Sequence, residues 1–315
     1  MAKYRDQLPQ LSRRMFLTDG GIETTLIFHQ GLELPDFAAF DLLKDDAGSE
    51  SLRNYFLTYA ALAKKYGVGF ILESATWRAN PDWGMKLGYS SNELAVMNRK
   101  AIELVCDIRN EYETEKSPMV ISGCIGPRGD GYNPTSMMSV EEAQLYHATQ
   151  ISTFSDTEAD MVTAITMNYV EEAIGIARAA QSAGMPVAIS FTVETDGNLP
   201  TGQTLQNAIE SVDEATQNAP AYYMINCAHP HHFEGVLAAD QSWTERIRGL
   251  RANASTMSHA ELNDLEKLDE GDPVALGHQY QELLGKLKNL NVLGGCCGTD
   301  HRHVEEICKA CIVPS

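Results

Sequence analysis

Short apolar runs alternate with amphipathic stretches along most of the chain. The runs at 15–19, 70–74, 119–123, 161–166, 187–192, 222–226 and 291–294 have the length and β-branched or aromatic content of strands, and 246–252 is taken as the seventh in order. Between them, apolar residues recur every three or four positions. Leu52, Tyr55, Phe56, Tyr59, Leu62, Ala63 and Tyr66 mark one helix, and Leu94, Met97, Ala101, Leu104, Val105 and Ile108 another. Further helices are predicted over 140–158, 171–182, 205–216 and 273–287, with a short last one through Val304, Ile307 and Cys308. Gly184 suits a helix C′ position and Pro273 a first helical turn.

Eight strand–helix units follow from this pattern. Near-continuous apolar strands alternating with helices imply a parallel sheet covered on both faces. Eight such units fit a (β/α)8 TIM barrel, which needs about 250 residues; an open doubly wound sheet is the alternative. No Pro/Gly/Ser-rich linker divides the sequence, so residues 1–315 are expected to form one barrel domain. The longest polar connection, 253–272, reads as an extended loop or a short surface helix.

Charge narrows the partners. With 24 Lys+Arg against 43 Asp+Glu the net charge is −19. Such a chain repels phosphate backbones and anionic lipid surfaces, so neither nucleic acid nor membrane is expected as a partner. No stretch reaches the ~18 apolar residues of a membrane span. Residues 1–14 lack the apolar core of a signal peptide, so a soluble, cytoplasmic protein is expected. The pattern gives no oligomeric state.

In a parallel barrel the reactive groups stand at the C-terminal ends of the strands. Two of those ends carry three of the seven cysteines: Asn226-Cys227-Ala228, and Gly294-Gly295-Cys296-Cys297-Gly298. Strands six and eight have one neighbour between them, so the three thiols can converge on one rim. Three thiolates with a fourth position open are a donor set for catalytic zinc. Both side chains of a vicinal pair reach one ion only if the backbone turns between them, which Gly294, Gly295 and Gly298 permit. A vicinal disulfide or a redox thiol are the other readings. An odd cysteine count does not suggest a disulfide scaffold. Cys106, Cys124, Cys308 and Cys311 read as structural, and His229, His231 and His232 as a solvated run that could still offer a fourth ligand. Gly123 to Gly131 is glycine-rich but lacks the order of a phosphate loop. Asp19 is either a helix cap or a polar substrate contact.

With these segments in view, the sequence resembles the zinc-dependent homocysteine S-methyltransferase family. The matching stretches are Leu17-Thr-Asp-Gly-Gly-Ile-Glu-Thr-Thr-Leu26, Ser122-Gly-Cys-Ile-Gly-Pro127, Ser190-Phe-Thr192, Ile225-Asn-Cys-Ala228 and Gly294-Gly-Cys-Cys-Gly-Thr299. The resemblance implies a (β/α)8 barrel. It also implies Zn2+ held by Cys227, Cys296 and Cys297, and methyl transfer from a small sulfonium or ammonium donor to a thiol, homocysteine by default, giving methionine. Asp19, Gly20, Ser74 and Arg78 are the candidates for the substrate pocket.

Two departures bear on the substrate. Family members commonly end strand four with a Glu that holds the amino group of homocysteine; Ile165 stands there. Strand two commonly ends Thr-Asn-Thr-Tyr-Gln-Ala-Ser, whereas this chain has Glu73-Ser-Ala-Thr-Trp-Arg-Ala-Asn80. Arg78 could bind a carboxylate and Trp77 line an apolar or cationic subsite. Glu73 or Glu194 could replace the lost acid. The alternatives are a diverged methyltransferase with another thiol acceptor, and a non-catalytic zinc- or thiol-binding protein of the same fold.

Overall fold

The computed structural model describes residues 1–237, 241–263 and 267–312. Eight parallel strands close into a barrel in chain order. They are β1 (Phe16–Leu17), β2 (Gly69–Glu73), β3 (Met119–Ile125), β4 (Met161–Met167), β5 (Val187–Phe191), β6 (Tyr222–Asn226), β7 (Ile247–Ala252) and β8 (Val292–Gly295). Closure comes from β1 pairing with β8, Phe16 opposite Val292 and Leu17 opposite Leu293. The helices are α1 (Asp46–Tyr66), α2 (Pro81–Lys86), α3 (Ser91–Tyr112), α4 (Val140–Ser155), α5 (Val170–Ser182), α6 (Leu205–Thr216), α7 (Pro230–Phe233), α8 (His259–Asn263), α9 (Pro273–Lys286) and α10 (His301–Cys311). The barrel, and not the open sheet, is therefore the architecture. Every expected strand is present. Gly184 ends α5 in the left-handed region, φ +65°. The polar connection 253–272 carries α8; its residues 264–266 lie outside the described set. Short α2 and the turns of 3-10 and π helix between Thr24 and Lys44 have no clear apolar period and were not expected.

Strand periodicity explains where the site falls. Phe16, Ile71, Val120, Met161, Ala188, Met224 and Val292 point into the barrel and fill its N-terminal end as one apolar cluster with Leu8 and Tyr222. Two residues further along each strand the same face carries Thr18, Glu73, Ser122, Thr163, Ser190, Asn226 and Gly294. The interior thus turns from apolar to polar within one pleat. The larger core lies between the outward strand faces and the helices. Among the described residues no helix is long and apolar enough to cross a membrane.

Candidate metal centre and substrate cavity

Cys227 immediately follows β6, and Cys296 and Cys297 follow β8. All three Sγ atoms lie within 4.8 Å of one another. Cys227 and Cys296 are joined as a disulfide with Cα atoms 5.3 Å apart, and Cys297 Sγ stands 4.0 Å from that of Cys227. The pairing links two strand ends inside the site, so it is neither the vicinal disulfide weighed above nor a scaffold bridge. A disulfide sulfur has no thiolate to give, so this donor set holds a metal only when reduced.

The glycines divide their labour differently from the expectation. Only Gly298 of the three adopts positive φ, +77°. Gly294 and Gly295 are needed for space, since a Cβ on either would overlap the side chains of Thr18 or Thr299. Cys227 itself sits at φ +52°, a conformation that costs a non-glycine residue of order 1 kcal/mol or more. Thr166, at φ +66°, lies across from it. Buried Asn226 holds Thr166. Its Oδ1 accepts from the Thr166 backbone N–H at 3.0 Å and the Ser190 hydroxyl at 2.6 Å, and its Nδ2 donates to Thr166 Oγ1 at 2.9 Å. The Cys227 carbonyl is fixed from the other side by Asn253 Nδ2 (3.0 Å) and His259 Nε2 (2.5 Å).

The sulfurs open onto a cavity of about 380 Å³ that is lined by Asp19, Gly20, Ser74, Arg78 and Ile165 among others. The four expected pocket residues are therefore brought together with the three cysteines. Two of them are already engaged. The Asp19 carboxylate accepts from Arg251 Nη2 (2.6 Å) and the Tyr55 hydroxyl (2.8 Å), while Ser74 Oγ shares a hydrogen bond with Thr76 and accepts from the Cys124 N–H. Arg251 also pairs with Glu73. Burial pulls the Arg251 pKa down, but Asp19 and Glu73 together carry it above the ordinary arginine value. Glu73 thus faces the cavity without a free charge. Glu194 is not on the cavity wall and contacts His259 Nδ1 at 3.3 Å. Neither acid offered as a replacement is available.

Arg78 is buried, its guanidinium carbon 4.0 Å from the Trp77 ring centre and 3.9 Å from that of Trp83. Glu23, in the turn after β1, was not singled out from the sequence, nor were Asp130 and Asp269 on the same wall, although Glu23 lies within the Asp-Gly-Gly-Ile-Glu segment. Enclosure pushes its carboxyl up to about 7, with the negative Asp19 adding to the rise. Desolvation by the surrounding protein lifts the Cys297 thiol to about 11. Tyr132, from the β3–α4 connection, places its hydroxyl 3.8 Å from Cys297 Sγ and its ring 4.1 Å from that of His259. Tyr132 and Arg251 were also missed. Arg251 is one of two charges on a six-residue strand, which was its only signal; Tyr132 had none.

No described histidine joins the sulfur cluster. His229 caps α7, accepting from the His231 N–H, and His232 donates to Thr256 O. Cys106, Cys124 and Cys308 are buried thiols and Cys311 is half-buried; of these only Cys124 reaches the cavity wall. Gly129, in the glycine-rich segment, accepts from Arg78 Nη1 at 3.1 Å.

Fold and site together define a (β/α)8 barrel with a three-sulfur cluster on its C-terminal rim. The chain belongs to the homocysteine S-methyltransferase family, whose sequence profile matches residues 16–311. It is 22% identical to the selenocysteine Se-methyltransferase of Brassica oleracea var. italica over 76% of this chain and 74% of that protein. It is 24% identical to the betaine–homocysteine S-methyltransferase 1 of Rattus norvegicus over 76% of this chain, and spans only 60% of that protein's length. Among solved structures, the oxidized form of the homocysteine methyltransferase MmuM from Escherichia coli superposes with a TM-score of 0.75 at 18% identity, covering 97% of this chain and 99% of that one. The metallated form of the same protein gives 0.72 at 17% identity, over 95% and 96%.

Proposed function

We propose that this protein is a zinc-dependent thiol S-methyltransferase, with Cys227, Cys296 and Cys297 as the zinc ligands and homocysteine as the default acceptor. The observation that carries the reading is the convergence of three cysteine sulfurs at the mouth of an enclosed cavity, in a chain of this family. The donor set fits the metal: three soft sulfurs grouped on one side, with the cavity on the other. When bound, zinc supplies the positive charge that keeps an acceptor sulfur deprotonated and nucleophilic near neutral pH. The chain's own residues do the rest. Asn253 and His259 hold the Cys227 carbonyl, and Asn226 holds Thr166 across from it. The cavity walls exclude water and align the acceptor sulfur with a methyl carbon. The methyl then passes from a sulfonium or quaternary ammonium donor to sulfur. The new S–C bond forms as the donor's S–C or N–C bond breaks, and the donor leaves neutral, so no strong general acid is required.

Purified, reduced, zinc-loaded protein incubated with a panel of thiols and methyl donors should yield a methylated thiol by mass spectrometry. Cys297→Ser should lower both zinc content and turnover by at least an order of magnitude. An active protein free of zinc would refute the reading. A second reading rests on Ile165, which lines the cavity and offers an ammonium group nothing. Taken alone it favours an acceptor without one, and a preference for 4-mercaptobutyrate over homocysteine would decide for it.

A further inference from the structure

The cavity does hold a free acid, in a place other than the end of β4. We propose that Glu23 and Arg78 form a receptor for a zwitterion, Glu23 taking its cationic centre and Arg78 its carboxylate. The proposal rests on the reading of this cavity as the meeting place of acceptor and donor.

Most acids on the cavity wall already have partners. Asp19 and Glu73 are both paired with Arg251. Asp130 accepts from the backbone N–H groups of Tyr132 (2.8 Å) and Asn133 (2.9 Å) in its own turn, and Asp269 accepts from Gly271 N–H at 3.0 Å. Glu23 has no such partner among the described residues: it forms no ion pair and accepts only from its own backbone N–H. Lys267 is solvent-exposed, but Arg78 is 7% exposed and forms no ion pair among the described residues. Its Nη1 donates to Gly129 O, and its Nε is buried without a partner.

Two tryptophan rings lie against the Arg78 guanidinium, their centres 4.0 and 3.9 Å from its carbon. A guanidinium edge matches a carboxylate with two parallel hydrogen bonds. Arg78, in the field of Asp130 first and of Glu23 next but ion-paired with neither, and a carboxyl with no cation within 4 Å face the same space. They lie in each other's field, yet not within 4 Å. A small molecule with opposite charges at its two ends completes both. Glu23 thereby supplies, from the turn after β1, the negative charge that Ile165 cannot.

The zwitterion is either the acceptor's amino-acid moiety or the donor's. Calorimetric titration of the reduced full chain at pH 8 distinguishes them. One series is methionine, 4-(methylthio)butanoate, which lacks the cation, and 3-(methylthio)propan-1-amine, which lacks the carboxylate. The other is glycine betaine, 3,3-dimethylbutanoate and choline. In one series the zwitterion should bind about tenfold or more tighter than either half-ligand. Glu23→Gln should erase its advantage over the ligand lacking a cation and keep its advantage over the ligand lacking a carboxylate. Arg78→Gln should do the reverse. Glu23→Asp and Arg78→Lys, which keep the charges, should recover part of each preference. The series that shows this crossed pattern identifies the zwitterion as acceptor-side or donor. Uniform weakening of all ligands, or unchanged rankings in both series, overturns the assignment. Methyl transfer without the crossed pattern leaves the methyltransferase reading standing alone; the crossed pattern without methyl transfer under any donor overturns that reading and not this one.

Discussion

At the scale of single residues, the cavity stores electrostatic cost where a ligand can recover it. Glu23 shows this most directly. Its carboxyl is raised from an ordinary 4.5 to about 7 because enclosure disfavours the charged form. Below pH 4.5 the group is protonated in both folded and unfolded chains and contributes nothing to the pH dependence. Between 4.5 and 7 the unfolded chain ionises first, so stability falls as pH rises, and the loss is complete above 7. A rise of that size corresponds to at most about 3 kcal/mol. Glu23→Gln should therefore raise the denaturant midpoint relative to the native sequence at pH 8 and leave it nearly unchanged at pH 4. An equal difference at both pH values would show that the side chain acts through packing alone. Cys227 carries cost of another kind, a left-handed backbone whose carbonyl is held by Asn253 and His259.

At the scale of elements, one side chain ties three strand ends together. Arg251 on β7 reaches Asp19 beyond β1 and Glu73 on β2, and its Nε donates to Gly295 O on β8 at 3.1 Å. All three charged groups are buried, so removing the cation strands two carboxylates. Arg251→Met should cost about 3–5 kcal/mol in equilibrium urea unfolding. Adding Asp19→Asn and Glu73→Gln to that variant should return most of the loss, because neutral groups tolerate burial far better. If the triple variant is no more stable than Arg251→Met, the damage is one of volume and not of charge. The register of the strands makes this triad possible, since Asp19, Glu73 and Arg251 all stand at the C-terminal ends of their strands, beyond the apolar plug.

At the scale of the whole molecule, the order of the strands gives the site its redox sensitivity. Cys227 and Cys296 are 69 residues apart, and they meet only because β6, β7 and β8 are consecutive staves. Metal-free protein exposed to air should lose two hydrogens and yield a Cys227–Cys296 link on non-reducing peptide mapping. It should then rebind zinc only after a reductant is added. The Cys297→Ser protein should still form the link, because Cys297 is not a partner in it. Recovery of zinc binding without reductant would show that the sulfurs are not joined in solution.

The sequence by itself determined the eight strand–helix units and the three cysteines at two strand ends; the tertiary structure decided for a closed barrel over an open sheet. The alternation of apolar runs with 3.6-period stretches dictates eight strand–helix units because burial on both sheet faces demands it, and the cysteines fall at strand ends that a parallel barrel must bring to one rim. Gly20 and Ser74 were legible at the cavity for the same reason, and Arg78 through its departure from the family's strand-two pattern. The charge pattern of the cavity was not. Whether Glu73 or Glu194 is free depends on which cation or histidine stands across the barrel, and that is settled by shear and register, which no local pattern records. Arg251 neutralises Asp19 and Glu73 together, His259 engages Glu194, and Glu23 is left alone. A carboxylate's availability is a property of its neighbours in space, and those are fixed only when the barrel closes.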